Sequence, residues 1–367
     1  MKYPNTYAEI KLDNLVYNYR QMEGLNKGKT PIAIVKADAY GHGALCCAKA
    51  LEGAGAKYFA VANTDEAEEL KSGGIKGNIL ILGYVPENRI DELIENDFTV
   101  GLYNYGFAQK LSEAAAERGF RVKAHIMLNT GMNRLGFPCS PEGIEAIEKI
   151  SGLKGIEIKG IFSHYATADE EDMDYSRLQR ERFCDMLVKL QGRGITFEMI
   201  HINNSAAALG FDCDMDNAFR PGLVLYGITP FPDGQYASLL KPVMTFKTSV
   251  ANVFYINKGD SVSYARTYTA EGKRKIATLC AGYADGYFRM LSNKADVFIQ
   301  GKRARSVGNI CMDMMMVDVS DIDRVSVADS VELFGENIPA KELADLIGTI
   351  PYEIFCSLSK RVKRYYI

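Results

Sequence analysis

The residues able to do chemistry fall just behind short apolar runs. Lys36 opens Lys36-Ala37-Asp38-Ala39-Tyr40-Gly41-His42-Gly43, directly after the run 32–35. An amine partly removed from water loses solvation of its charged form. Its pKa falls, and it can then condense with an aldehyde as a Schiff base. By position alone, an ordinary surface lysine at a strand end is the commoner case. Asn129-Thr130-Gly131-Met132-Asn133-Arg134 follows the run 122–128, Ser163 and His164 follow 158–162, and Asn203-Asn204-Ser205 follow 197–202. Arg220-Pro221-Gly222 stands at a further candidate strand end.

The elements behind these residues repeat. Apolar runs cover 32–35, 58–62, 78–82, 98–102, 122–128, 158–162 and 197–202. Continuous runs this short suit strands buried on both faces of a parallel sheet. Amphipathic segments lie between them. Segment 13–22 carries Leu15, Tyr19 and Met22 on one side with Asp13 as its cap, and 64–70 has a capping-box start at Thr64. Segments 106–118, 141–150 (Pro141 behind Ser140 as N-cap) and 173–190 also read as helices. An eighth strand is needed to close a barrel. Residues 223–226 are the more strand-like by composition, whereas 218–220 is shorter but places Arg220 at a strand end and lets Pro221-Gly222 start a helix. The second is preferred on that functional ground. The predicted fold class is α/β: an N-terminal (β/α)8 barrel over residues 1–235, with a doubly wound open sheet as the alternative. Residues 236–367 carry alternating and β-branched runs and predict a mainly β domain, with a helix at 340–347; the first ten or so residues could pair with it.

Barrel active sites lie at the C-terminal ends of the strands, which is where the polar clusters fall. Ser205 and Gly222 follow strands seven and eight, where backbone N–H groups often hold phosphate, although Gly-Ser clusters are common in ordinary loops. A Schiff-base lysine with a phosphate anchor meets the requirement of pyridoxal phosphate. Other residues read blandly. His42 is a structural loop residue, His125 a barrel-wall histidine, and His201 could be either. Met312, Met314, Met315 and Met316 look like a core strand, and Tyr264 like a β-strand aromatic.

The 367 residues, 47% hydrophobic and 24% charged, fit a globular chain of two domains. A formal net charge of -3 leaves no basic footprint for nucleic acid. No run approaches a membrane span, and Met1-Lys2-Tyr3-Pro4-Asn5-Thr6 lacks the apolar core of a signal peptide, so a cytoplasmic protein is expected. Eight cysteines without a CxxC pair predict free thiols and signal no metal site.

Ala33-Ile34-Val35-Lys36-Ala37-Asp38-Ala39-Tyr40-Gly41-His42-Gly43 closely resembles the cofactor-lysine segment of alanine racemases. The resemblance continues in order through 129–136, 163–169, 201–206, 220–227, 262–269, 281–286 and 308–313. It implies a pyridoxal 5'-phosphate enzyme that interconverts L- and D-alanine and supplies D-alanine for peptidoglycan, working as a homodimer with shared sites. It implies that Lys36 carries the cofactor and is one catalytic base, and that Tyr264 from the second subunit is the other. Tyr40, Asn204, Ser205, Gly222 and Leu223 would serve the phosphate, Arg220 the pyridine nitrogen, and His164 would support Arg220. Arg134 and the backbone N–H of Met312 would bind the substrate carboxylate, with Tyr283 at the entrance and Cys311 and Asp313 nearby.

Three positions depart from that pattern. Met127 stands where many members carry a carbamylated lysine that orients the substrate arginine, so Arg134 needs another partner: Asn129, water or a bound anion. Lys360 replaces a tyrosine that bonds the phosphate and borders the substrate, which opens the alternative of a serine or broad-specificity racemase. Ala265 replaces a common glycine after Tyr264.

Overall fold

The computed structural model describes residues 5–211, 215–231 and 234–367; Cys213 lies outside them. The chain forms two compact units, one of Met1–Asn14, Tyr40–Gly43 and Pro242–Ile367, the other of Leu15–Ala39 and Ala44–Lys241.

Strand β1, Tyr7–Ile10, belongs to the first unit. The second unit holds β2 (Thr30–Ile34), β3 (Tyr58–Val61), β4 (Asn78–Ile81), β5 (Thr99–Leu102), β6 (Val122–Asn129), a two-residue β7 (Phe137–Pro138), β8 (Ile156–Phe162), β9 (Met199–His201) and β10 (Ala218–Phe219). They run parallel in the order β10-β2-β3-β4-β5-β6-β8-β9, with β7 appended to β6. The ring is nearly closed by hydrogen bonds from Asn217 N–H to Ile200 O (3.0 Å) and from Arg220 N–H to Asn203 O (2.9 Å). The eighth strand is thus the short 218–219 segment, and Leu223–Tyr226 is a buried 3₁₀ turn. A (β/α)8 barrel follows, as the run spacing predicts.

Helices alternate with these strands, and Leu15, Tyr19 and Met22 are buried on the helix Leu12–Leu25 as expected. Two caps differ. Asp13 lies within the first turn because the helix already starts at Leu12. The helix Thr64–Ser72 is capped by Asn63, whose Oδ1 accepts from Glu66 N–H, so Thr64 is helical rather than the cap. Ser140 does occupy the N-cap ahead of Pro141, but its hydroxyl donates to Glu142 instead of capping the backbone.

Behind Lys36 the backbone turns left-handed. Ala37, Asp38, Ala39 and Tyr40 have φ of 52°, 53°, 53° and 52°. A left-handed turn of non-glycine residues costs roughly 1–2 kcal/mol per residue, so outside contacts must hold it. Gly41 follows at φ 77°, where a Cβ would strike Phe355 O.

The first unit is mainly β. It comprises β11 (Met244–Ile256), β12 (Ser261–Val262), β13 (Tyr268–Thr269), β14 (Arg274–Leu279), β15 (Asp296–Ile299), β16 (Lys302–Arg305), β17 (Met315–Asp318), β18 (Ser330–Phe334) and β19 (Lys363–Tyr366). The long β11 pairs antiparallel with β1, β14 and β18, while β1 pairs parallel with β19. Ala340–Ile347 is helical as expected, and Pro351–Cys356 adds a helix. Among the described residues, no helix is long and apolar enough to cross a membrane.

Two expectations fail here. Tyr264 is not a strand aromatic: β12 ends at Val262, and Tyr264 sits exposed in the turn Tyr264–Arg266. The strand of methionines begins only at Met315, so Met312 and Met314 are exposed rather than core.

Candidate active site

Arg220 is the centre of the barrel site. It is buried, just beyond β10. Nη1 donates to His201 Nδ1 (2.7 Å) and His201 O (2.8 Å), and Nη2 to Ser163 O (2.6 Å), Ile202 O (3.0 Å) and His164 Nδ1 (3.2 Å). Both terminal nitrogens are thereby committed to the protein. The Nε–H has no acceptor among the described residues, although guanidinium carries five donors. Burial pushes the Arg220 pKa down to about 10, against the opposing pull of Asp216, so it stays cationic at neutral pH. The guanidinium also lies over the Phe162 ring, 5.6 Å from its centroid.

These bonds determine the histidine tautomers. Arginine only donates, so His201 Nδ1 must accept and His201 carries its proton on Nε2. That nitrogen lies 2.8 Å from His125 Nδ1, which therefore accepts in turn. His201 stacks on Phe162 with the rings 3° from parallel. Burial, then the Arg220 charge, lowers the His125 pKa to about 3, and the same causes hold His201 well below its ordinary value. His125 is thus the buried wall histidine expected, and His201 a buried support of Arg220.

His164, half-buried at the end of β8, marks where the predicted cations meet. Burial lowers its pKa first, followed by Arg220, Arg134 and Lys36. Lys36, Arg134, His164 and Arg220 are therefore one cluster, although 184 positions separate the outermost pair in sequence (220 − 36). Gln179 accepts from Ala166 N–H and donates to Thr130 Oγ1 and His164 O, tying the loops after β6 and β8 together. Arg134 itself is exposed on its loop. Asn129 is not its partner: Oδ1 accepts from Gly131 and Asn133 N–H, and Nδ2 donates to Asn133 Oδ1.

Ser205 and Gly222 also meet, with Ser205 Oγ accepting from Gly222 N–H at 2.9 Å. Asn204 caps the following turn through Ala207 N–H, and Leu223 is the first residue of its 3₁₀ turn. Small residues, a hydroxyl and a turn opening give a cradle of the kind that takes phosphate oxygens. Lys36, the spare Arg220 Nε–H and this cradle together fit a pyridoxal phosphate.

The other predicted residues belong to the first unit. Tyr264 is 71% exposed, on a turn with φ of 65° at Ser263, 58° at Ala265 and 50° at Arg266. Such backbone survives only where its surroundings impose it, a pattern common at functional sites. Asn309 Nδ2 holds it by donating to Tyr264 O at 2.8 Å. The departure at Ala265 thus falls where glycine would avoid a Cβ penalty. Tyr283 N–H donates to Cys311 O and Ala284 N–H to Met312 O, both at 3.0 Å. Gly282 permits that approach, since a Cβ there would overlap the Cys311 and Met312 carbonyls. Cys311 Sγ lies 3.4 Å from Ser263 Oγ, which links this loop to the Tyr264 turn. Asp313 pairs with Arg361, which also holds buried Asp285. Lys360, beside it, is exposed. Tyr40 is buried against Tyr352, and burial followed by the Tyr352 and Cys356 charges raises its pKa.

One residue of the barrel cluster escaped the sequence reading. Glu66 accepts from Ala37 N–H and Ala62 N–H, and only its place in an acidic first turn hinted at importance.

Known proteins agree with this architecture. The family model for the alanine racemase N-terminal domain matches residues 10–230, and that for the alanine racemase C-terminal domain matches 243–366. Alanine racemase 2 of Caldanaerobacter subterraneus subsp. tengcongensis is 42% identical, over 99% of this chain and 95% of its own. The alanine racemase of Clostridium tetani is 44% identical, over 98% and 95%. Among solved structures, alanine racemase of Clostridium difficile 630 superposes with a TM-score of 0.95 at 38% identity, covering 100% of this chain and 97% of that one. The alanine racemase of Bacillus anthracis with bound L-Ala-P gives 0.92 at 33% identity, over 100% and 96%. By sequence along almost its full length and by fold, the chain belongs to the alanine racemase family.

Proposed function

We propose that the protein interconverts L- and D-alanine with pyridoxal 5'-phosphate as cofactor, Lys36 and Tyr264 as opposed acid–base groups, and a homodimer as the working unit. One observation carries this reading: a buried arginine with both Nη atoms spent on the protein and its Nε–H unspent, clustered with Lys36, Arg134 and His164.

The cofactor, when bound, supplies the electron withdrawal that acidifies the substrate Cα–H. Lys36 would carry it, Ser205, Gly222, Leu223, Asn204, Tyr40 and Lys360 would hold its phosphate, and Arg220 Nε–H would face its ring nitrogen. Arg220 lends a hydrogen bond there but keeps its own proton, which moderates the electron withdrawal and disfavours side reactions such as transamination.

Racemisation removes a proton from one face of Cα and returns one to the other, so one group per face is required. Lysine and tyrosine both titrate near 10, and each must come down by roughly 2–3 units, about 3–4 kcal/mol, to act near neutrality. His164 accepts from Arg220 at Nδ1, so Nε2 carries the proton and is left as a donor. Tyr264 and Met312 stand exposed on a single chain, which suits donation to a second copy. Arg134 and the Met312 N–H would clamp the substrate carboxylate, with Tyr283, Cys311 and Asp313 shaping the entrance. The product would serve cytoplasmic peptidoglycan synthesis.

Chiral analysis of the cofactor-loaded protein with L-alanine, D-alanine and L-serine tests the activity. Equal flux from either alanine isomer is expected, and Lys360 is the reason to include serine; no racemisation of alanine refutes the reading. Mixing Lys36→Ala with Tyr264→Phe tests the shared site. Each alone should be inactive, whereas randomly reassociated dimers should recover about a quarter of full activity, since half are hybrids with one intact site. Hybrid dimers without activity would put both groups in one chain.

A further inference from the structure

We propose that Glu66 is the positioning residue of Lys36, its two carboxylate oxygens holding the backbone behind the lysine and the exit of the neighbouring strand as one piece. The inference rests on the role proposed for Lys36. Glu66 lies in the first turn of the helix Thr64–Ser72. Its Oε1 accepts from Ala37 N–H at 2.8 Å, one residue past Lys36, and its Oε2 from Ala62 N–H at 2.7 Å, one residue past β3. β2 and β3 are hydrogen-bonded neighbours, paired at Ile34↔Ala60. Glu66 thus continues their pairing beyond the point where the main chains part.

The need for such a brace follows from the local backbone. The first N–H groups of a helical turn have no partner inside it. Behind Lys36 the turn is left-handed, with Ala37, Asp38, Ala39 and Tyr40 all at positive φ. Ala39 N–H reaches back to Val35 O at 2.9 Å, while Ala37 N–H goes to Glu66. At the far end Asp38 Oδ1 accepts from Ala44 N–H at 2.7 Å. Two carboxylates therefore hold a conformation the residues would not choose, and the Glu66 bond fixes the peptide that directs the Lys36 side chain. Only a carboxylate suits the place. Both of its oxygens accept, and charge strengthens each bond, whereas an amide of the same size turns one acceptor into a donor facing an N–H.

The test compares the unsubstituted protein with Glu66→Gln and with Glu69→Gln, an exposed acid on the same helix. In Glu66→Gln, amide exchange across residues 36–41 should speed up about tenfold or more while the rest of the barrel keeps its protection. Its kcat should fall roughly a hundredfold with KM within about threefold, the signature of a misplaced reacting group. Glu69→Gln should match the unsubstituted protein throughout. Unchanged exchange and kcat in Glu66→Gln would overturn the proposal, as would loosening spread evenly over the barrel, which would make Glu66 a general brace. Borohydride trapping of pyridoxal phosphate separates the two readings. If trapping in the unsubstituted protein fails at Lys36, the proposed function falls; if it succeeds there with Glu66→Gln unaffected, only this inference falls.

Discussion

Acidification from about pH 7.5 to about pH 5.5 should destabilise the barrel by about 3–4 kcal/mol through the histidines around Arg220 alone. His125 and His201 are fully enclosed and hold their pKa values low, at about 3 for His125 and well below the ordinary value for His201. In the unfolded chain each would titrate near 6.5. Between those limits the unfolded state binds more protons, so stability falls as pH falls: the contribution is complete above about 6.5 and is lost progressively towards the folded pKa. At pH 5.5 an unfolded histidine is about nine-tenths protonated, which favours unfolding by about 1.4 kcal/mol per residue. Two buried imidazoles together give about 3 kcal/mol, and the partly accessible His164 adds up to about 1 kcal/mol. Mechanistically, a proton on His201 Nδ1 would point an N–H at the Arg220 N–H it now accepts from. Urea unfolding across this window, at constant cofactor, measures the slope, and His125→Leu should remove about one third to one half of this histidine contribution whatever its own effect on stability. A flat profile, or a slope unchanged in His125→Leu, would refute neutral imidazoles around Arg220.

Arg220→Lys leaves three donors for five acceptors, so at least two buried acceptors lose their partner, at about 1–3 kcal/mol each. A loss of about 2–6 kcal/mol in denaturant unfolding is expected, with a shifted cofactor absorbance; stability within about 1 kcal/mol would contradict the network. Ala265→Gly should raise stability by about 0.5–1 kcal/mol, since relief of the left-handed Cβ penalty at φ 58° exceeds the added chain entropy. A lower melting temperature would show that the Ala265 methyl group makes a contact worth more than that relief.

Much of the barrel was legible from short-range pattern. The run 58–62 became β3, 122–128 became β6, and the residues behind each run became the rim. Preferring 218–220 over 223–226 as the eighth strand depended on wanting Arg220 at a strand end, and β10 does end one residue before it. The Tyr264 turn was not legible, because Ser263, Ala265 and Arg266 all prefer other backbone regions than those they occupy. Nor was the turn behind Lys36, where Ala37 and Ala39 look like good right-handed helix formers. The pairing of the first residues with the β domain was expected, and β1 shows it, but β19 escaped for another reason: it pairs with β1, Lys363 against Tyr7, a partner hundreds of positions away.

The amino-acid order by itself therefore determined what is local: the alternation of buried strands with amphipathic helices, and the residue types at each strand end. The tertiary structure alone decided what those side chains are. A histidine code letter does not say that His201 is neutral and protonated on Nε2; that follows from an arginine which can only donate, in a site that water does not reach. Charge state and tautomer are properties of surroundings, and those surroundings are assembled from residues 36, 125, 134, 164, 201 and 220 only when the sheet curls into a ring.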